Sequence, residues 1–439
     1  MRLEGRTAEL SKPTLLYVIL DGLGDDPIDD FDGKTPLEAA ATPHLDSLSV
    51  RGVNGTVVTV GEGIAPESDI AVFAILGYDP FAQHTGRGPI EALGAGIPFD
   101  YGDLAYRVNF ATVEESGDGW TIVDRRVGRS LSSDEAHALA AEVQDKVSID
   151  DATFTFRATL GHRGVVVFYP AADPFSALVE NSDPAYGRQG LLGVALEKFD
   201  EKVVTVAPLA DYEEDEGAKR AAAVTNDWLR EVFDVLDASD VNARRKDRGL
   251  LPANFVLTRD GGDHLPELQP FEDKFGLRMG CFVELPVEVG IARLTSMEEI
   301  DAPVGMAEHD QYRAWAEVAA RVAPDFDAIY IHIKGPDVPA HDGDHEAKKA
   351  SIEAIDDLFF GSLLDGVDLD AHMIAVTADH STSCPRKAHT DGPVPLVVAG
   401  GGVSGDGVGS YGERAALDGA LGRLKGPEII PTVIDLPGA

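Results

Sequence analysis

The sequence predicts an α/β fold: a doubly wound, mostly parallel sheet core interrupted by an inserted α+β domain. Three observations support this prediction. Apolar runs typical of buried parallel strands alternate with helical segments near both ends of the chain. The middle of the chain instead holds short strands that follow one another with few helices. The length of 439 residues suits two to three domains, or one large domain with an insertion, and a hydrophobic fraction of 44% is enough to form cores.

The first part of the predicted core covers residues 1–90. Residues 14–20 form a continuous apolar run that ends at Asp21, which is typical of a buried parallel strand with an acid at its carboxyl end. Residues 35–50 are expected to be helical, with Pro43 near a helix start, and a second apolar stretch follows at 69–77. This order of strand, polar loop and helix is the start of the doubly wound pattern.

The inserted α+β domain is predicted to cover residues 91–265. Helices are expected near 133–146 and 215–240, where apolar residues recur at helical spacing. The predicted short strands lie at 106–113, 120–126, 153–160 and 163–170. This mixture differs from the parallel pattern on either side and therefore indicates a separate domain.

The second part of the core is predicted to cover residues 266–439. Strands are expected at 327–333, 371–378 and 394–399, with a helical segment at 344–360. Ligand sites in doubly wound sheets lie at the carboxyl ends of the strands. The residues that directly follow these strands are therefore the candidates for chemistry.

The composition excludes several classes of protein. With 76 acids, 37 bases and a net charge of −39, the chain would repel nucleic acid and lacks a polybasic membrane anchor. No apolar run is long enough for a transmembrane helix, and from the acidic, non-apolar residues 1–12 we expect no secretory signal. Two cysteines make no disulfide framework, so we expect a cytoplasmic location. The oligomeric state stays open.

The excess of acids permits two interpretations. Only 13 of the 37 bases are lysines, which fits a halophilic protein in a salt-rich cytoplasm, where repulsion between carboxylates is screened. The alternative is an ordinary acidic protein from a low-salt cell. We favour the high-salt interpretation on charge alone.

Four segments place metal-capable side chains after predicted strands. They contain, in chain order, Asp21; Ser68; Asp337 and His341; and Asp379, His380 and His389. Each has an ordinary explanation when taken alone: a turn aspartate, a hydrogen-bonding histidine, a helix N-cap serine, or the exposed face of a helix. Their coincidence at strand ends favours metal binding.

These residues can form two metal sites. One would use Asp337, His341 and His389, and the other Asp21, Asp379, His380 and the Ser68 oxygen. Aspartate and histidine together suit divalent ions such as Mn²⁺ or Zn²⁺. Two ions about 3.5–4 Å apart bind both the attacking and the leaving oxygen of a phosphoryl transfer, and coordination activates a serine as nucleophile.

Six longer segments carry a family resemblance. They are LYVILDGLGD, TPLEAAATPHLDSL, SDIAVFAILGYDP, TGRGPIEALGAGI, HIKGPDVPAHDGDHEAK and VTADHSTSCPRKAHTDGPVPLVV. They resemble the archaeal type of 2,3-bisphosphoglycerate-independent phosphoglycerate mutase, a family of alkaline phosphatase-like metalloenzymes. The resemblance covers nearly the whole chain and implies an alkaline phosphatase-like core. Glu67 stands where the family often has glycine, and Lys334 and His332 match its HIKG segment without an assigned role.

The resemblance also implies an activity and its cofactors. It implies interconversion of 3-phosphoglycerate and 2-phosphoglycerate, a glycolytic and gluconeogenic step, through a phosphoserine at Ser68. The two metal sets it implies are the two given above. Mn²⁺ is the preferred ion, with Mg²⁺, Co²⁺ and Zn²⁺ as alternatives. The small molecule phosphoglycerate is the expected partner, and no bisphosphoglycerate is needed.

The inserted domain supplies candidates for substrate binding. Arg125, Arg126 and Arg129 are concentrated in one segment, and arginine binds carboxylate and phosphate bidentately. The alternative is a surface ion-pair cluster. Arg259 is matched to an arginine of the family's later loop, and His162 is either an acid/base group or a structural histidine.

Two rival functions stay open at this point. A hydrolase with the same core would release inorganic phosphate instead of returning the phosphoryl group. A non-catalytic acidic protein would only bind cations, but such a protein needs neither a serine nucleophile nor paired ligand sets.

Overall fold

A computed structural model describes residues 12–436 except Asp118 and Glu197. The chain divides into two compact units. The first contains residues 12–82, Leu268–Glu284 and 295–436, and the second contains Gln83–Glu267 and Leu285–Leu294.

Both units contain strands and helices. The strands are β1 (Thr14–Leu20), β2 (Val53–Val58), β3 (Leu104–Ser116), β4 (Gly119–Asp124), β5 (Ala152–Ala158), β6 (Arg163–Pro170), β7 (Tyr186–Gln189), β8 (Leu192–Ala195), β9 (Phe255–Gly262), β10 (Met279–Phe282), β11 (Glu298–Glu299), β12 (Ala328–Ile333), β13 (His372–Thr377), β14 (Ser381–Ser383), β15 (Ala388–Thr390), β16 (Val394–Gly400) and β17 (Gly422–Lys425). The α-helices are α1 (Pro36–Ala39), α2 (Pro43–Arg51), α3 (Ser68–Ile75), α4 (Pro80–Gln83), α5 (Arg87–Gly94), α6 (Ser133–Lys146), α7 (Glu216–Asp237), α8 (Asp240–Asp247), α9 (Phe271–Phe275), α10 (Pro286–Leu294), α11 (Glu308–Val322), α12 (Asp337–Asp342), α13 (His345–Ile355), α14 (Gly361–Gly366) and α15 (Ile429–Ile434).

The first unit is built on a mixed sheet in the order β11-β10-β12-β1-β13-β16-β2-β17. Strand β16 is antiparallel to β13 and β2, whereas the remaining pairs are parallel. The central strand β1 is buried because its side chains are apolar on both faces, as a covered parallel sheet requires. The predicted α/β fold with a mostly parallel sheet is therefore confirmed.

The register of three central strands brings their carboxyl ends together. Leu20 of β1 pairs with Ile333 of β12, and Ile19 pairs with Thr377 of β13. The amide of Asp21 then donates to the carbonyl of Ile333 at 3.0 Å. The residues that follow β1, β12 and β13 consequently share one edge of the sheet.

Residues 35–50 form two helices, α1 and α2, and α2 begins at Pro43 as expected, because proline lacks an amide hydrogen and disfavours helical geometry in the residue before it. One local prediction is wrong in this unit. Ser68 does not follow a strand directly. It begins α3, after a loop that separates it from β2.

The second unit contains a five-stranded sheet in which β4, β3, β6 and β5 are neighbours in that order, and β9 also pairs with β3, antiparallel to it. Helix α7 packs its apolar face on this sheet. Its buried Trp228 contacts the rings of Phe154, Phe156 and Phe168, with centroids 5.5–5.9 Å apart. These aromatic contacts form the centre of the unit's core.

Helix α10 belongs to the second unit, although the sequence analysis placed it in the range 266–439. It packs closely on α5 through two glycines. A Cβ on Gly94 would lie 1.7 Å from the carbonyl oxygen of Pro286, and one on Gly290 would lie 2.0 Å from that of Ile90. This backbone contact joins α10 to the unit that contains α5.

Among the described residues, no helix combines the length and the apolar character needed to cross a membrane.

Candidate functional site

The first ligand group consists of Asp337, His341 and His389. Asp337 begins α12, His341 lies one turn later, and His389 lies on β15. The two Nε2 atoms of the histidines are 3.1 Å apart, and they lie 3.5 and 3.6 Å from Oδ1 of Asp337. The predicted set is therefore brought together in the structure.

The Nδ1 atoms of both histidines face backbone carbonyls. Nδ1 of His341 lies 3.2 Å from the oxygen of Lys387, and Nδ1 of His389 lies 2.7 Å from that of Pro66. Each Nδ1 is therefore a protonated donor, and each Nε2 faces Asp337. Burial would lower the pKa of His389, but its hydrogen bond to Asp337 raises that pKa to about 10, so a proton occupies this Nε2 when no metal ion is bound. Two imidazole nitrogens and a carboxylate oxygen form a donor set that fits a divalent metal ion in place of that proton.

The second ligand group consists of Asp21, Asp379 and His380, all of them buried. Oδ1 of Asp21 and Oδ2 of Asp379 accept no hydrogen bond from any residue that the structure describes, and they lie 3.5 and 3.2 Å from Nε2 of His380. Burial and the nearby Asp21 raise the pKa of Asp379 well above its usual range. Two buried carboxylates are costly without a compensating cation, so this group also fits a metal ion.

His332 on β12 and Lys334, which directly follows that strand, line the second group. The Lys334 ammonium is hydrogen-bonded to Oδ2 of Asp21 and lies 3.3 Å from Nε2 of His332. Burial would raise the pKa of Asp21, but the charge of Lys334 lowers it. Lys334 thus keeps Asp21 ionised, a role that the sequence analysis did not assign.

Ser68 is the first residue of α3, and Glu67 occupies the N-cap position. The interpretation of Ser68 as an N-cap is therefore wrong. Its half-buried hydroxyl lies 3.4 Å from Nε2 of His380. The positive end of a helix dipole stabilises negative charge at this position.

The predicted arginines of the second unit have three different environments. Arg125 makes a bidentate ion pair with the buried Asp183, at 2.8 and 2.5 Å. Arg126 is half-buried, Arg129 is exposed, and the guanidinium of Arg259 stacks on the ring of Tyr186 at 4.0 Å. The ion-pair interpretation therefore describes Arg125, whose fork already holds a carboxylate.

Arg126 and Arg259 belong to a larger basic cluster. The cluster comprises Arg87, Arg107, Arg126, Arg163 and Arg259. Burial and the charges of its neighbours lower the pKa of Arg107 to about 9, which shows how crowded the positive charges are. Glu91 of α5 contacts Arg87 at 2.6 Å and Arg107 at 3.4 Å.

His162 lies beside the basic cluster. Burial and the positive charges of Arg163 and Arg126 lower the pKa of its imidazole to about 3. It is therefore neutral at physiological pH.

Sequence reasoning missed Arg87, Arg107 and Arg163. The available signal was a single arginine in the mostly apolar first half of β3, where Arg107 is buried.

Comparisons with known proteins show which family this chain resembles. The family model described as 2,3-bisphosphoglycerate-independent phosphoglycerate mutase matches residues 50–242. The Aeropyrum pernix protein of that name is 42% identical to this chain, over 96% of this chain and 99% of the relative.

Two solved structures share the fold. A Pyrococcus horikoshii protein has a TM-score of 0.76 at 29% identity and covers 97% of each chain. The cofactor-independent phosphoglycerate mutase of Thermoplasma acidophilum has a TM-score of 0.61 at 29% identity, over 96% of this chain and 99% of that one. This chain belongs to the 2,3-bisphosphoglycerate-independent phosphoglycerate mutase family.

Proposed function

We propose that this protein interconverts 3-phosphoglycerate and 2-phosphoglycerate through a phosphoserine at Ser68, without 2,3-bisphosphoglycerate. The observation that carries the proposal is the position of the Ser68 hydroxyl. It begins a helix and lies 3.4 Å from His380, a member of the second ligand group. The relatives' names give the substrate class, and Ser68 gives the group that accepts the phosphoryl unit.

The two ligand groups are proposed to hold two divalent ions, preferably Mn²⁺. Bound there, the ions would polarise the phosphoryl oxygens and lower the pKa of the Ser68 hydroxyl. Histidine nitrogens and aspartate oxygens suit Mn²⁺, Co²⁺ and Zn²⁺, whereas Mg²⁺ prefers oxygen alone.

The remaining steps of the phosphoryl transfer are proposed to depend on the chain's own residues. The Ser68 hydroxyl loses its proton and its oxygen forms a bond to phosphorus, while the bond between phosphorus and one glycerate oxygen breaks and that oxygen takes up a proton. The other glycerate hydroxyl then loses its proton and its oxygen bonds to phosphorus, while the bond between phosphorus and the Ser68 oxygen breaks and the Ser68 hydroxyl regains a proton. The Lys334 ammonium and the first turn of α3 offer positive charge to the phosphoryl oxygens.

The basic cluster is proposed to bind the anionic groups of phosphoglycerate. Its arginines outnumber the acids beside them, and burial strengthens their attraction for an anion. Arg126 and Arg259 are the predicted members of this cluster, and Arg129 follows Arg126 in the same loop. Arg125 is proposed to have a structural role through Asp183.

Phosphorus NMR of the purified protein with Mn²⁺ and 3-phosphoglycerate tests this function. We expect the 2-phosphoglycerate resonance to grow until it reaches equilibrium with 3-phosphoglycerate, with little inorganic phosphate. The same protein treated with a chelator should leave the substrate unchanged until Mn²⁺ is returned. Release of inorganic phosphate alone would identify a hydrolase, and turnover without any divalent metal would refute the two-metal proposal.

A further inference from the structure

The loops that carry the two ligand groups are joined by a network outside both groups. The loop after β1 and strand β14 run side by side. The amide of Thr382 donates to the carbonyl of Gly24 at 2.9 Å, and the amide of Cys384 donates to Oδ1 of Asp25 at 2.9 Å. Thr382 also pairs with His389 across the β14–β15 hairpin.

The Thr382 hydroxyl joins one member of each ligand group. It donates to Oδ1 of Asp337 at 2.7 Å, and it lies 3.0 Å from Nδ1 of His380. Because its single hydrogen goes to Asp337, it accepts from the Nδ1 hydrogen of His380. This fixes the tautomer of His380 and leaves its Nε2 lone pair facing the carboxylates of the second group.

Gly22 shows how tightly this contact is packed. A Cβ on Gly22 would lie 2.7 Å from both Oδ1 of Asp337 and Oγ1 of Thr382, and its φ of +62° also favours glycine. The loop after β1 therefore packs directly against Asp337 and Thr382 and leaves no room for a side chain at Gly22.

Lys348, on helix α13, fixes the backbone of Thr382. The lysine lies on α13, is fully buried, and donates to the carbonyls of Gly24 and Thr382 at 2.8 and 2.7 Å. Its third partner is the buried carboxylate of Asp25 at 3.0 Å. All three hydrogens of the ammonium are used inside the protein, so Lys348 has no capacity left for substrate.

We propose that Thr382 and Lys348 are positioning residues that hold the two ligand groups in one fixed arrangement. Thr382 orients Asp337 and His380 through its hydroxyl, and Lys348 fixes Thr382 and the β1 loop through its ammonium. The inference rests on the proposed function in one respect, namely that the two groups bind metal ions.

Mn²⁺ titration of the metal-free, full-length protein tests this proposal, with free Mn²⁺ measured by electron paramagnetic resonance. Outer residues that orient metal ligands typically change metal affinity about 10–100-fold. Thr382→Val, which keeps the shape and removes the hydroxyl, is expected to weaken Mn²⁺ binding at both sites by a factor in that range. Thr382→Ser restores the hydroxyl and should restore the affinity.

Matched variants separate orientation from folding. Thr225→Val removes another buried hydroxyl, one bonded to Ala221 within α7, and should leave Mn²⁺ affinity unchanged. Lys348→Met combined with Asp25→Asn removes both buried charges together and should weaken Mn²⁺ binding in the same direction. If Thr382→Val does not fold, this double variant decides the question by the same criterion.

Two results would overturn the proposal: wild-type affinity in Thr382→Val, or a Thr382→Ser variant as weak as Thr382→Val. Absence of Mn²⁺ binding to the wild type would overturn it as well. Phosphoglycerate interconversion is assayed separately on the same preparations. Failure of that assay with the Mn²⁺ results intact would refute only the proposed function.

Discussion

His162 is surrounded by positive charge, and its titration follows from that environment. Burial and the charges of Arg163 and Arg126 lower the pKa of its imidazole to about 3. Between about pH 3 and pH 6.5 the unfolded chain binds a proton at this histidine that the folded chain does not. His162 therefore makes the folded state less stable as the pH falls through this window, by up to about 1.4 kcal/mol per pH unit.

NMR of histidine-labelled protein checks this prediction. The imidazole signals of His162, assigned by their loss in His162→Gln, should not shift between pH 5 and 8. His137, exposed on α6, supplies the control substitution for the assignment. A titration midpoint between pH 6 and 7 would show that the basic cluster does not act on His162.

Arg126 and Arg129 are predicted to matter more for mutase than for phosphatase activity. Each charge-assisted hydrogen bond contributes about 1.5–3 kcal/mol, so removing two should weaken retention of glycerate at least tenfold. In the double variant that combines Arg126→Ala with Arg129→Ala, the ratio of inorganic phosphate to 2-phosphoglycerate should rise. The ratio is measured in one assay with 3-phosphoglycerate.

The control for this variant removes the same charge elsewhere in the second unit. Arg244 and Lys246 lie exposed on α8, and replacing both with alanine should leave the product ratio unchanged. A wild-type ratio and Michaelis constant in the Arg126, Arg129 variant would assign these arginines to the surface.

At the scale of elements, the close contact between α5 and α10 allows us to predict how a substitution there changes thermal stability. A methyl group added at Gly290 or Gly94 would collide with backbone of the facing helix. Overpacking of this kind costs about 1–3 kcal/mol, and backbone cannot yield as a side chain can. Gly290→Ala should therefore lower the melting temperature clearly.

Gly117 provides the matched control in the same unit. A Cβ there meets nothing within 4 Å, so Gly117→Ala should be nearly neutral. Thermal unfolding of the two variants by circular dichroism decides the point. Equal melting temperatures would mean that the helices can move apart at no cost.

The elements that carry the metal ligands could be predicted because their pattern is local. Apolar runs followed by acids identify β1, β12 and β13 and the residues at their ends. The antiparallel direction of β16 could not be predicted, because an apolar run does not encode its direction. The assignment of α10 was also missed, since its glycine contact with α5 joins distant parts of the chain.

The two ligand groups could be predicted from local sequence, whereas the basic cluster could not. Each ligand follows a recognisable strand or belongs to a dense motif, so its position could be inferred from sequence. Arg87, Arg107 and Arg163 lie on three elements that come together only when α5, β3 and β6 pack. Their convergence is a property of the fold of the second unit.

At the scale of the whole molecule, the net charge of −39 predicts a response to salt. At about 1 M KCl the Debye length falls to about 3 Å, so repulsion between exposed carboxylates is largely screened. The melting temperature should rise between low salt and molar KCl, and NaCl should act in the same direction. A melting temperature that is constant or falls would favour the ordinary acidic interpretation and leave the proposed activity untouched.

The central claim is that Ser68 carries the phosphoryl group during turnover. Mass spectrometry of protein quenched with acid during reaction with Mn²⁺ and 3-phosphoglycerate tests it most directly. We predict one added phosphoryl group on the wild-type peptide that contains Ser68. In Ser68→Ala we predict no such label and a turnover rate that falls by several orders of magnitude, below the limit of measurement. Ser49→Ala, a change at a buried serine of α2 whose hydroxyl has no hydrogen-bond partner among the described residues, should keep both. A label on another residue, or near-normal turnover in Ser68→Ala, would contradict the account.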